Sequence, residues 1–368
     1  MRSESRFLQL PLVQRESILL IVLLIFAIVA FFSTRAIARA SRAMHRADAA
    51  WWYARGEDEL GRGAADAAIA PLRRAAVLDR DEPRYRLALA GALTATHDTD
   101  AARQILLDLH ARDAEDPQVN LQLARLAVAA GESRDALRYY ESAIVELWTA
   151  DRVPQRRAAR RELIEYLLMQ HEDERALAEA VIYTSSAPDE PFAHVDAGRL
   201  LMRCGSPSRA LDQFQVALRE QPDDAEALAG AGEAAFAARD YERARTYLRQ
   251  APGVGSVEQL RLITQLMFSI DPLLPHLTAG ERSRRILTAA DRIRAEIHAC
   301  TAPDATIRSD ADELTGQLIA RPRGSEDTLG ADLGSVARLA RRSSQTCGET
   351  PLDRAVLLVA QRHGVEQP

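Results

Sequence analysis

Residues 205–222 read Gly205-Ser206-Pro207-Ser208-Arg209-Ala210-Leu211-Asp212-Gln213-Phe214-Gln215-Val216-Ala217-Leu218-Arg219-Glu220-Gln221-Pro222. Gly205 suits a turn, Ser206 stands at a helix N-cap, and Pro207 occupies the first helical position, where a missing N–H costs nothing. Ala210, Phe214 and Ala217 then follow at steps of four and three, which places them on one helical face. Pro222 closes the run, because it bars the residue before it from helical geometry. The stretch predicts a helix whose small residue at Ala210 lets a neighbouring helix come close.

The pattern recurs. An alanine returns at Ala68, Ala102, Ala136, Ala176, Ala210 and Ala244, at intervals of 34, 34, 40, 34 and 34 residues. The face around it repeats as Ala68, Leu72, Ala75, as Ala136, Tyr140, Ala143, and as Ala244, Leu248, Ala251. Gly56, Gly198 and Gly232 stand twelve residues before three of these alanines. The single long interval reflects an insertion near Trp148 to Gln155. The fourth unit departs most from the pattern, with Ile164 in place of the glycine and Ala180 in place of the aromatic residue. Pro83, Pro117, Pro191 and Pro222 are expected to end one unit before the next begins.

A 34-residue period with small residues in both helices and a proline near the end resembles the tetratricopeptide repeat. The resemblance covers residues 49–255 and implies an all-α protein: a right-handed α-solenoid of about six helical hairpins, each burying its apolar face against the next. It also implies that the first helices line a concave groove for a protein or peptide partner. In this register the groove candidates are Tyr53, Arg84, Leu87, Arg125, Arg161, Phe192, Arg199, Met202, Arg203 and Phe236. Five are arginines, whose planar forks suit the carboxylates of an anionic peptide. Glu57, Glu165 and Glu233 fall in the same register and would offset them.

Residues 17–34 carry no charge, and Ile18 to Phe32 are all apolar. As a helix, this segment spans about 27 Å, close to the roughly 30 Å hydrocarbon layer of a bilayer. It predicts a single transmembrane helix behind a short tail, residues 1–16, with Arg15 and Arg35 reaching for the headgroups. A cleaved signal peptide competes, with Ala38-Arg39-Ala40 as its site, but Arg35 and Arg39 charge a region that should be small and neutral. Arg35, Arg39, Arg42 and Arg46 follow at steps of four, three and four along residues 35–48, a stripe suited to membrane-surface contact with anionic lipid. Arg2, Arg6 and Arg15 precede the span, so positive charge flanks both ends and leans only slightly towards a cytoplasmic body. Analogy with single-span bacterial repeat proteins favours a periplasmic one.

The 368 residues include no lysine, and 47 arginines against 53 acidic residues leave a net charge of -6. That balance does not fit a general nucleic-acid binder. Without lysine there is no Schiff-base chemistry and no phosphate loop ending in Gly-Lys. Nor does any nucleophile elbow or His-Glu zinc motif occur, so no enzyme, cofactor or metal is expected; His298 beside Cys300 lacks a second ligand pair at the right spacing. An enzyme with a divergent site in the last hundred residues remains the rival reading, one that calls for a concave cluster of titratable groups there.

Beyond residue 255 the period fades while helical patterning continues. Val257, Leu260, Ile263, Met267 and Ile270 form one stripe, expected to cap the repeats; Ile286, Leu287, Ala290, Ile293 and Ile297 form another. Pro272 and Pro275 redirect the chain between them, and loops near 301–310 and 321–331 separate shorter helices. The last helix, Pro351 to His363, begins behind Thr350 as N-cap and ends at Gly364. Residues 256–368 are thus a capping appendage on the final repeat. Cys300 and Cys347 are either a disulfide or two reduced thiols, and Cys204 sits as a core cysteine within a repeat.

Overall fold

The protein was described through a computed structural model, which covers residues 12–145, 153–186, 188–301, 305–320 and 328–365, with side chains from Leu20 onward. Arg2, Arg6, the side chain of Arg15, most of the insertion near Trp148 to Gln155, and parts of the 301–310 and 321–331 loops lie outside the described residues. Those residues form seventeen helices and no strand. The chain divides into two compact units, Met1–Leu163 and Ile164–Pro368.

The first unit begins with α1 (Leu12–Gly61), a helix of 50 residues and about 75 Å. It runs through residues 34/35 and 48/49, where separate segments were expected, without a break. α2 (Ala65–Leu78), α3 (Pro83–Ala95), α4 (Thr99–Arg112), α5 (Pro117–Ala129) and α6 (Ser133–Val145) follow, and α7 (Val153–Met169) carries the chain across the division. The second unit continues with α8 (Asp173–Ser185), α9 (Pro191–Arg203), α10 (Pro207–Glu220), α11 (Ala225–Ala237) and α12 (Tyr241–Gln250). Its remaining helices are α13 (Ser256–Ile270), α14 (Ala279–Ala299), α15 (Ala305–Ala320), α16 (Leu329–Cys347) and α17 (Pro351–Arg362).

Each of the six periodic alanines is the fourth residue of a second helix, α2, α4, α6, α8, α10 or α12, and each has no exposed surface. The reason is steric and involves the residue four positions on. A Cβ added at Gly56 would lie 2.5 Å from Leu72, one at Gly198 2.8 Å from Phe214, and one at Gly232 2.7 Å from Leu248. In each case the glycine of the first helix leaves room for the large side chain sixteen residues later. Phe214 is clasped from the next hairpin as well, since a Cβ at Gly230 would collide with its ring. In the fourth unit Ile164 and Ala180 occupy the same sixteen-residue offset, and both are fully buried. Bulk has moved from the second helix to the first, so the irregular sequence there is an exchange of size at conserved volume.

Six turns join the paired helices in the same way. Gly63, His97, Gly131, His171, Gly205 and Arg239 all have φ between 60° and 76°. The residue after each donates its N–H to a carbonyl five residues back at 2.9 Å, as in Asp98 to Leu93, Glu172 to Leu167 and Asp240 to Ala235. This satisfies a carbonyl the helix end would otherwise leave open.

The prolines mark the boundaries between units, and the residues before Pro83, Pro117 and Pro191 are extended. Pro83, Pro117 and Pro191 occupy the first turn of α3, α5 and α9, so they start helices, while Pro222 lies between α10 and α11. Ser206 holds the N-cap position of α10, but its hydroxyl makes no cap bond. Aspartates do that work elsewhere: Asp98, Asp116, Asp224 and Asp240 each accept a backbone N–H of the following helix.

At the end of the repeats α13 packs on α11 and α12, and α17 packs on α13. Val257, Ile263, Met267 and Ile270 are buried in that layer, and Ile286, Ala290, Ile293 and Ile297 in the next. Thr350 closes a capping box with Asp353 at the start of α17.

Candidate partner-binding groove

The groove candidates sit where the repeat register puts them, on first helices, yet their states differ. In the first unit Tyr53 stacks on Tyr85 with ring centroids 5.0 Å apart, and the Arg84 guanidinium lies 5.5 and 5.1 Å from the two rings. Burial pushes the Tyr53 hydroxyl above its ordinary pKa. Leu87 packs on the core formed by α2 to α5. Arg125 of α5 grips Glu162 of α7 with two bonds of 2.8 and 2.6 Å, which raises its pKa further. Arg161 is exposed on α7.

In the second unit Phe192, Arg199 and Arg203 share one face of α9 at steps of seven and four; Phe192 is 70% exposed and Met202 half-buried. Arg199 pairs with Glu226 of α11. Arg203 reaches Glu165 of α7 at 3.4 Å. Phe236 is only 9% exposed, turned edge-on to Tyr241 at 5.4 Å; its position on α11 aims it into the hairpin rather than the groove.

Arg125, Arg199 and Arg203 therefore already hold carboxylates of neighbouring first helices. Glu162, Glu165 and Glu226 thus neutralise three of the five arginines read from the sequence. Each pair departs from the repeat interval by one or two helical turns, and that offset is the signal a search for paired charges would use. Exposed pairs of this kind contribute at most about 1 kcal/mol each.

The titratable groups beyond residue 270 serve as caps and ties. Asp271, buried at the end of α13, accepts from the Leu273 N–H at 2.9 Å and from His363 Nε2 at 3.0 Å. Asp353 accepts from Thr350, whose hydroxyl also bonds Glu296 at 2.9 Å; burial lifts Asp353 to about 6. His298 bonds Asp312 at 3.0 Å, and among the described residues no three His, Cys, Asp or Glu side chains converge as metal ligands would. Cys204 is buried, and desolvation raises its thiol to about 11, which makes it a poor nucleophile. Cys300 and Cys347 are joined as a disulfide with Cα atoms 5.8 Å apart.

From Leu20 to Phe32 every large apolar side chain of α1 is exposed. It is the one described helix long and apolar enough to cross a membrane, a property shared by signal sequences. Arg35 and Arg39 are exposed beyond it, Arg42 bonds the Ala38 carbonyl, and Arg46 turns to Asp79 at 3.6 Å. The four arginines therefore do not share one environment.

Hairpins of this construction, with their chemistry spent on packing and pairing, define a repeat scaffold for protein interaction. The tetratricopeptide-repeat family model matches residues 121–191 and 195–255. Those residues carry tetratricopeptide repeats, and the two hairpins ahead of them repeat the same buried alanine and left-handed turn. Similar solved structures include pilF of Pseudomonas aeruginosa (18% identity, 57% of this chain, 91% of that one, TM-score 0.43). Others are YrrB, described as a TPR protein with an unusual peptide-binding site (16%, 53%, 97%, 0.41), and the type IV pilus biogenesis factor PilW (16%, 55%, 91%, 0.41). No curated protein matches the chain by sequence.

Proposed function

We propose that this protein is a single-pass membrane-anchored scaffold whose repeats bind a protein or peptide partner in the periplasm of a bacterium, in the assembly of envelope or secretion machinery. The observation that carries the reading is the continuity of α1. The apolar segment and the first helix of the first hairpin are one helix, so cleavage near Ala38-Arg39-Ala40 would have to cut within a helix. The anchor is therefore read as retained. The Cys300–Cys347 bond supports the compartment, because disulfides persist where the surroundings oxidise. The exposed Phe192, on the same face of α9 as the paired Arg199 and Arg203, is the anchor point proposed for the partner. Arg35 and Arg39 lie nearest the lipid headgroups.

Two measurements test this. In membranes washed with alkaline carbonate, the full-length chain stays in the pellet and its Cys300 and Cys347 resist maleimide until reductant is added. A soluble chain shorter by about forty residues would identify a signal peptide, and thiols that react at once would place the body in the cytoplasm. A photo-crosslinking residue at 192 captures a partner that the same residue at 319, on α15, does not. Equal capture from both positions would remove the groove assignment.

A further inference from the structure

A basic surface lies on the first two hairpins. A cavity of about 290 Å³ opens between α2, α3 and α4. Its floor is apolar, made by Val77, Leu89 and Ile105, and four arginines stand around it: Arg73, Arg80, Arg86 and Arg112. One acid faces them. Asp108 bonds Arg86 at 2.5 Å and Arg112 at 3.3 Å, and the Arg86 guanidinium holds its carboxyl below the usual carboxylate range. Arg73 and Arg80 are exposed and make no ion pair among the described residues. The site therefore carries a net charge of +3 in a protein whose total is -6. Val77 remains 60% exposed at its edge.

We infer that this cavity is a second partner site, on the face opposite in charge character to the groove, and that it takes an acidic peptide segment in which a carboxylate neighbours an aliphatic side chain. Two guanidinium groups without partners provide forked donors for a carboxylate. The apolar floor between them has the wrong character for a free inorganic anion, which would leave it wet. A bilayer lipid is out of reach. Arg46, which pairs with Asp79 beside this end of the hairpins, lies about 16 Å along α1 from Arg35 at the edge of the span. Headgroups extend only about 5–8 Å beyond the hydrocarbon, and ordinary helix tilt shortens the separation little. The occupant is therefore a protein segment. The inference uses the first unit alone and stands or falls independently of which groove residues bind.

The test uses the full chain in nanodiscs of phosphatidylcholine and a fluorescein-labelled peptide pool of four varied positions drawn from Asp, Glu, Leu, Ile, Val and Phe. A matched pool replaces Asp and Glu with Asn and Gln. By fluorescence polarisation the acidic pool binds at least tenfold more tightly than the amide pool, and the advantage shrinks as salt is raised. Arg73→Glu with Arg80→Glu abolishes that advantage, the milder Arg80→Gln reduces it, and Arg292→Glu at an exposed position of α14 leaves it within twofold. Circular dichroism confirms that the variants remain helical. Equal binding of the two pools, or equal loss with Arg292→Glu, would overturn the assignment. So would nanodiscs containing phosphatidylglycerol that displace the peptide from the native chain but not from the double variant, since the cavity would then belong to lipid.

Discussion

One backbone position recurs in every hairpin with a left-handed conformation, and the side chain there is not always suited to it. Gly63, Gly131 and Gly205 adopt it freely, but His97, His171 and Arg239 hold φ of 64°, 60° and 62°. A non-glycine residue in that region costs about 1–2 kcal/mol, while glycine gives back roughly 0.5–1 kcal/mol through its freedom in the unfolded chain. His97→Gly, His171→Gly and Arg239→Gly are therefore each expected to raise stability by about 0.5–1 kcal/mol, and Gly131→Val to lower it by more. Urea midpoints measure both; a gain at none of the three would mean that the turn is relaxed by something other than backbone sterics. The position was only half legible in the sequence. Glycine marks it three times, and two histidines and an arginine conceal it.

At the scale of the helix pair, stability rests on one large and one small residue meeting across sixteen residues. Glycine opposite Phe214 and Ile164 opposite Ala180 are two solutions to the same volume. Ala180→Phe alone is expected to overpack the fourth hairpin by about 1–3 kcal/mol. Ile164→Gly alone leaves a cavity worth about 2–5 kcal/mol and adds the cost of glycine in a helix. The double variant restores the arrangement of the fifth hairpin and recovers at least about 1 kcal/mol relative to the sum. Thermal melts of the four proteins close the cycle, and strict additivity would show that the two residues do not meet. The same scale hides charge pairing from the sequence. Each arginine was visible in its own helix, but Glu226 opposite Arg199 lies on another helix, and only stacking brings them together.

At the scale of the whole chain, two long features set what the repeats can do. α1 joins the apolar segment to the first hairpin, and the Cys300–Cys347 bond ties the end of α14 to the end of α16 across 47 residues. A loop of that length is worth about 4 kcal/mol in chain entropy, with about 2–4 typical of measured bonds. Cys300→Ser with Cys347→Ser is expected to lower the stability of α14–α17 by about that amount, read as loss of amide hydrogen-exchange protection in those helices. Reductant should bring the native chain to the same level. Unchanged protection in the native chain under reductant would show that the two thiols are not bonded in solution.

The sequence by itself determined the helical class, the 34-residue unit, the six alanines, the apolar segment and the capping stripes. All of these are local spacings, and a helix or a hairpin responds to spacing within one or two of its own turns. Tertiary structure decided which charges remained free. Pairing depends on distances between residues more than twenty positions apart, so Arg125, Arg199 and Arg203 were spent on glutamates while Arg73 and Arg80 were left around an open cavity. It also decided that the irregular fourth unit packs like the others, because volume is balanced between two helices and appears in neither one alone.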